Sequence, residues 1–156
     1  MNIAIPGHTP FDIRHIVCDF NGTVAVDGAL LPGVAERFAA LSAQGLSVSV
    51  ITADTHGNAR DQLKNTPCNV HILTSQRHDV EKKQFVSKLG ARHVAAFGNG
   101  YNDHKMIKAA RLGVAVCQSE GLAGVTARNA DVIVTSIQDG LDLILTPSRL
   151  IASLRY

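Results

Sequence analysis

At 156 residues, 46% of them hydrophobic and 18% charged, the chain has the size and apolar content of one compact domain that buries a core without staples. Its 15 Lys and Arg nearly balance 13 Asp and Glu, and Lys82-Lys83 is the only pair of adjacent Lys or Arg residues, which argues against the basic stripe of a nucleic-acid binder. No apolar run approaches the roughly 20 residues of a membrane span, residues 1–7 carry neither a basic start nor a long apolar stretch, and the three cysteines (Cys18, Cys68, Cys117) lack metal or redox spacing. A cytoplasmic domain with reduced thiols is therefore expected, with Cys18 and Cys117 in strand-like core runs.

In chain order, residues 13–20 are rich in Ile and Val and predict a buried strand. Residues 24–32 place Asp27-Gly28 between two short apolar arms, a hairpin signal that predicts a small β-flap. Val34, Phe38 and Leu41 share one helical face, with Gly45 as a stop. Residues 46–52 predict a second strand, 59–64 a short helix and 70–73 a third, weaker strand. Val80, Phe85, Val86 and Leu89 define a helix over 79–89, ended by Gly90. Residues 93–97, 112–116 and 131–135 predict strands, and 102–110 and 137–145 helices. Apolar strands separated by helices of about ten residues require crossover connections and a parallel sheet covered on both faces. The expected fold is a Rossmann-like three-layer α/β sandwich over 1–156, with the flap at about 24–32. Residues 147–155 close the domain's own core or pack on a partner.

In an open α/β sheet, chemistry belongs in the crevice at the carboxyl ends of the strands, and the informative residues fall there. Asp19-Phe20-Asn21-Gly22-Thr23 ends the first strand and Thr52-Ala53-Asp54 the second. Lys82 opens the third major helix, and Gly98-Asn99-Gly100-Tyr101-Asn102-Asp103 follows the fourth strand. A glycine-rich turn between strand and helix is also a phosphate or metal loop. Between the two lysines, the pattern of Phe85-Val86 selects Lys82 and leaves Lys83 on a solvated face. Asp54 is read as a cap of the following helix. His56 is read as an exposed turn residue near the rim.

This ordered set resembles the four motifs of the haloacid dehalogenase superfamily along essentially the whole chain, and from Lys82 to Val116 it is similar to the phosphorylation domain of P-type ATPases and their small soluble relatives. The resemblance implies a Mg²⁺-dependent phosphatase in which Asp19 attacks phosphorus and forms an aspartyl-phosphate. It implies that Gly22, Thr52, Ala53 and Lys82 hold the phosphate, and that the Asp19 carboxylate, the main-chain oxygen of Asn21 and the fourth-motif residues Asn99 and Asp103 form the metal site. Asp103 would serve there as ligand or as anchor to Lys82.

Two positions depart from that pattern. Asn21 stands where the superfamily's phosphatases have a general acid, a group typically worth about 10²- to 10⁴-fold in rate, so turnover is expected to be slow. Asn99 replaces an acidic metal ligand, so metal affinity is expected to fall. The alternative reading is a non-catalytic module that binds phosphate or a phosphorylated partner. The intervals from Asp19 to Thr52 and from Thr52 to Lys82 are filled by the flap and short elements, and neither holds a cap or nucleotide domain. An open site implies either a macromolecular substrate such as a phosphoprotein, or a homo-oligomer whose second copy completes the site around a phosphorylated small molecule.

Overall fold

The computed structural model describes residues 1–54 and 57–156. A short antiparallel hairpin, β1 (Asn2–Ile3) and β2 (Phe11–Asp12), precedes the first core strand β3 (His15–Asp19). The flap follows as β4 (Ala25–Val26) and β5 (Ala29–Leu30), and then α1 (Val34–Ala43), β6 (Ser47–Thr52), α2 (Ala59–Leu63), β7 (Asn69–Ile72) and α3 (His78–Lys88). The second half runs β8 (Val94–Gly98), α4 (His104–Ala109), β9 (Leu112–Val116), α5 (Gly124–Asn129), β10 (Val132–Val134), α6 (Ile137–Leu145) and α7 (Pro147–Leu154).

Six strands form one parallel sheet in the order β10-β9-β8-β3-β6-β7. The chain builds outward from β3 through β6 and β7, then returns to the other side of β3 for β8, β9 and β10. This reversal opens a crevice beyond the carboxyl ends of β3 and β8. All of β8 and β9 is buried, as central strands covered on both faces must be. One face carries Ile16, Cys18, Val50 and Phe97 in a core shared with Phe38 of α1, Leu141 of α6 and Leu150 of α7. The other carries Val17, Ile51 and Ala96, packed with Val86 of α3 and Met106 of α4. Arg37 and Asp142 join α1 to α6 through two parallel bonds of 2.8 and 3.0 Å, the fork-to-carboxylate geometry that guanidinium favours.

The predicted flap is a two-residue hairpin pairing Ala25 with Leu30 and Val26 with Ala29. Asp27 (φ 49°) and Gly28 (φ 78°) are both left-handed, the conformation that lets a two-residue turn match strand twist. The segment 147–155 closes the chain's own core: Leu150 is fully buried, and Ile151 and Leu154 pack beside it. Cys117 departs from expectation, since it lies just past the end of β9 and is exposed. The predicted helix over 102–110 opens as a tight 3₁₀ turn, Tyr101–Asp103, before α4 begins. The β1–β2 hairpin and α5 were not foreseen, because two-residue strands and a six-residue helix are too short to show periodicity. Among the described residues, no helix is long and apolar enough to cross a membrane.

Candidate active site

Side chains alternate along a strand, so Asp19 points to the same face of the sheet as Val17, two positions earlier. That is the face covered by α3. Within α3, Lys82 and Val86 lie one turn apart and are its buried residues. The helix thus delivers a fully buried ammonium to the end of β3. Lys82 Nζ donates to Asp19 Oδ1 at 2.5 Å and to Asp103 Oδ1 at 2.7 Å. The neighbouring Lys83 is exposed.

One ammonium faces two carboxylates, so this cluster carries a surplus negative charge. Burial favours neutral Lys82, but attraction to Asp103 and Asp19 and the bonds to both outweigh it and hold the side chain protonated above the ordinary lysine range. Asp19 is pushed up to about 7 by burial and by repulsion from Asp103, against the pull of Lys82. A positive charge or a proton is thereby favoured beside Asp19.

The loops around this cluster interlock through two glycines. A Cβ on Gly98 would lie 2.6 Å from Cβ and Cγ of Asp103, and one on Gly22 would lie 2.2 Å from Asn99 Nδ2. Asp103 then accepts the amide hydrogens of Asn99 and Gly100 with its Oδ2, at 3.0 and 2.9 Å. Asn99 accepts from the Thr23 hydroxyl at 3.2 Å and donates to Gly121 O at 3.0 Å. Gly22 also has φ +78°, so Gly22→Ala adds left-handed strain to a side-chain clash. It is expected to cost about 2–4 kcal/mol in urea unfolding. Gly45→Ala, at a similar φ with nothing within 4 Å of its Cβ, isolates the backbone part and should cost about 1 kcal/mol.

Above the cluster lies a cleft of about 220 Å³ lined by Asp19, Asn21, Thr52, Ala53, Asn99, Gly100, Asn102 and Glu120. A depression of about 340 Å³ at the opposite end of the sheet, between the starts of β6 and β7, has no charged lining residue. Of the residues singled out in the sequence, Asp19, Asn21, Thr52, Ala53 and Asn99 meet at the cleft wall. Lys82 and Asp103 lie buried beneath it. Gly22 shapes the turn, and its own N–H is taken by Ala25 O at 2.7 Å. Thr52 Oγ1 accepts the Asp54 N–H at 2.9 Å, which leaves its hydroxyl hydrogen available to another acceptor. Asp54 caps α2 by accepting the Ala59 N–H at 2.9 Å. His56 lies outside the described residues.

Two cleft residues were not foreseen. Asn102 sits inside the Gly-Asn-Gly-Tyr-Asn-Asp run, and an Asn in such a turn carries no signal of its own. Glu120 belongs to the loop between β9 and α5, and no local pattern marks it. The oxygen Oδ1 of Asn21 is buried without a hydrogen-bond partner among the described residues. Together with the Asp19 carboxylate and the Asn99 amide it supplies oxygen donors only, a set suited to a hard divalent cation. Among the described residues, no group of three or more His, Cys, Asp or Glu gathers at one point. Such a cation would therefore lean on amide oxygens.

A family model of haloacid dehalogenase-like hydrolases matches residues 77–145, from α3 to the end of α6. An uncharacterized protein of Methanocaldococcus jannaschii is 41% identical over 64 residues, covering 41% of this chain and 69% of that protein. The 3-deoxy-D-manno-octulosonate 8-phosphate phosphatase of Moraxella catarrhalis, solved with magnesium, phosphate and KDO, superposes with a TM-score of 0.73 at 18% identity, covering 93% of this chain and 95% of that one. A zinc-transporting PIB-type ATPase gives a TM-score of 0.64 at 22% identity, covering 80% of this chain but 20% of the ATPase. At these identities the structural likeness is one of fold.

Proposed function

The chain belongs to the haloacid dehalogenase superfamily of hydrolases, and from that premise we propose that it hydrolyses phosphate monoesters through an aspartyl-phosphate on Asp19. The observation that carries this reading is the buried Lys82 bonded at once to Asp19 and Asp103 beneath the floor of the cleft. A lysine buried between two carboxylates is a poor way to gain stability. It is a good way to hold a nucleophilic carboxylate in place and counter the charge of an incoming phosphoryl group.

In this reading Asp19 attacks phosphorus in line with the leaving alcohol, and the ester P–O bond breaks as the acyl-phosphate bond forms. The Thr52 hydroxyl donates to one phosphoryl oxygen, and Lys82 stays bonded to the Asp19 oxygen that does not attack. Water then cleaves the acyl phosphate and regenerates the carboxylate. Asn21 cannot transfer a proton, so the leaving oxygen takes its proton from solvent and the attacking water loses one to solvent. This slows the first step for poor leaving groups and the second step for every substrate, p-nitrophenyl phosphate included. A divalent cation, Mg²⁺ in our reading, would be held by Asp19, Asn21 and Asn99 and would neutralise the charge shared by carboxylate and phosphate. The open cleft suits a phosphorylated small molecule or the side chain of a phosphoprotein, with a second copy of the chain completing the wall.

The internal bonds of the Asn99 amide to Thr23 and Gly121 favour a second reading, a phosphate-binding module without turnover. Release of p-nitrophenolate from p-nitrophenyl phosphate, with Mg²⁺ and with EDTA, separates the two. Catalysis predicts Mg²⁺-dependent release by the wild type, and a rise in kcat on the order of 10² for Asn21→Asp. No release by either protein, together with tight Mg²⁺-dependent binding of beryllofluoride, would establish the binding module instead.

A further inference from the structure

We propose, resting on the phosphatase reading, that Glu120 selects the leaving group, admitting phosphomonoesters of hydroxylated or amine-bearing alcohols and rejecting those whose alcohol carries a carboxylate. Glu120 lines the cleft together with Asp19, although the two are far apart in sequence. Its position is fixed, because Oε1 accepts the N–H of Asp27 at the flap tip at 2.9 Å. Three further residues fasten the flap. Asn58 Nδ2 donates to Gly28 O at 3.1 Å, and the Leu30 N–H donates to Gln62 Oε1 at 3.0 Å. Gln118 Nε2 donates to the carbonyl oxygens of Gly22 and Thr23 at the flap's base, at 3.2 and 2.7 Å. A hairpin held at its tip, on its second arm and at its base makes a fixed rim, and a carboxylate bonded to that tip is part of it.

The chemistry of the rim is one-sided. Among the described residues, the cleft lining contains no Lys, Arg or His. The ammonium of Lys82 lies beneath the floor and is already shared by two carboxylates. The part of a substrate beyond phosphorus therefore meets Glu120, with the amides of Asn21, Asn99 and Asn102 beside it. Hydroxyl and ammonium groups find acceptors there. A carboxylate on the leaving group would face Glu120, with no Lys, Arg or His among the described lining residues opposite.

The test compares kcat/KM for O-phosphoethanolamine, glycerol 3-phosphate and 3-phosphoglycerate, with p-nitrophenyl phosphate as the reporter of phosphoryl transfer itself. The wild type should favour the first two over 3-phosphoglycerate by about tenfold, the scale of one charge contact at a protein surface. Glu120→Gln should erase most of that ratio and Glu120→Lys should reverse it. Glu120 is exposed, so neither variant disturbs the core. If p-nitrophenyl phosphate is turned over but the ratio is the same in wild type and both variants, the role of Glu120 is overturned and the phosphatase reading stands. If the wild type hydrolyses none of the four esters, the phosphatase reading fails and the role of Glu120 falls with it.

Discussion

Asp19→Asn is expected to abolish Mg²⁺-dependent phosphate release and, in metal-free buffer, to make the folded protein more stable. The two effects have one cause. The Asp19 carboxylate is placed where its charge is costly, with burial and then Asp103 raising its proton affinity to a pKa of about 7 against the pull of Lys82. An unfolded Asp titrates near 3.9. Between those values the folded state binds more protons than the unfolded one, so stability falls as pH rises from about 4 to about 7 and stays low above. Lys82, raised above the ordinary lysine range, remains protonated throughout that window and adds no slope. An amide at position 19 carries no charge and still accepts from Lys82. Asp19→Asn should therefore unfold at the same urea concentration as wild type at pH 4 and at a higher one at pH 8. The difference at pH 8 is on the order of 2–4 kcal/mol. Mg²⁺ should stabilise the wild type at pH 8 and leave the variant nearly unchanged, which can be followed by thermal melts. A stability difference between Asp19→Asn and wild type that is the same at pH 4 and pH 8 would contradict the assignment of a raised proton affinity to Asp19.

Lys82→Met has the larger structural consequence. The substitution conserves length and removes the ammonium bonded to both Asp19 and Asp103. Two carboxylates are then left near each other, one with an 11% exposed side chain and the other fully buried. Breaking a buried pair by deleting one partner typically costs about 3–5 kcal/mol, which in a domain of this size lowers Tm by roughly 10–15 °C. Phosphate release should fall by about 10²- to 10³-fold, the usual loss for one preorganised charge at a reacting centre. The double variant Lys82→Met/Asp19→Asn should regain at least half of the lost stability, because the two changes share a contact and cannot be additive. Lys83→Met, one residue away on the exposed face, should change stability by no more than about 0.5 kcal/mol. Equal melting temperatures for Lys82→Met and Lys83→Met would show that the buried ion cluster does not hold the site together.

Much of this protein is determined by the sequence alone, for reasons that are local. Alternating and continuous apolar runs require a parallel sheet, and Asp27-Gly28 between apolar arms requires a tight hairpin. The order of Asp19, Thr52, Lys82 and the Gly98–Asp103 run places candidate chemistry at one end of that sheet. Of the two adjacent lysines, the spacing to Phe85-Val86 singles out Lys82, and α3 buries Lys82 while exposing Lys83. The tertiary structure decided what depends on contacts across the chain. It turned Asp103 toward Lys82 and two backbone amides, committed the Gly22 N–H to Ala25 O, and engaged the Asn99 amide with Thr23 and Gly121. It also brought Glu120 from a loop without any motif to the tip of the flap. Hydrophobic periodicity encodes which face of an element is buried, but hydrogen-bond partners at a site are chosen by approach geometry between loops distant in sequence. That geometry rests on close contacts such as Gly22 against Asn99, which no local pattern records.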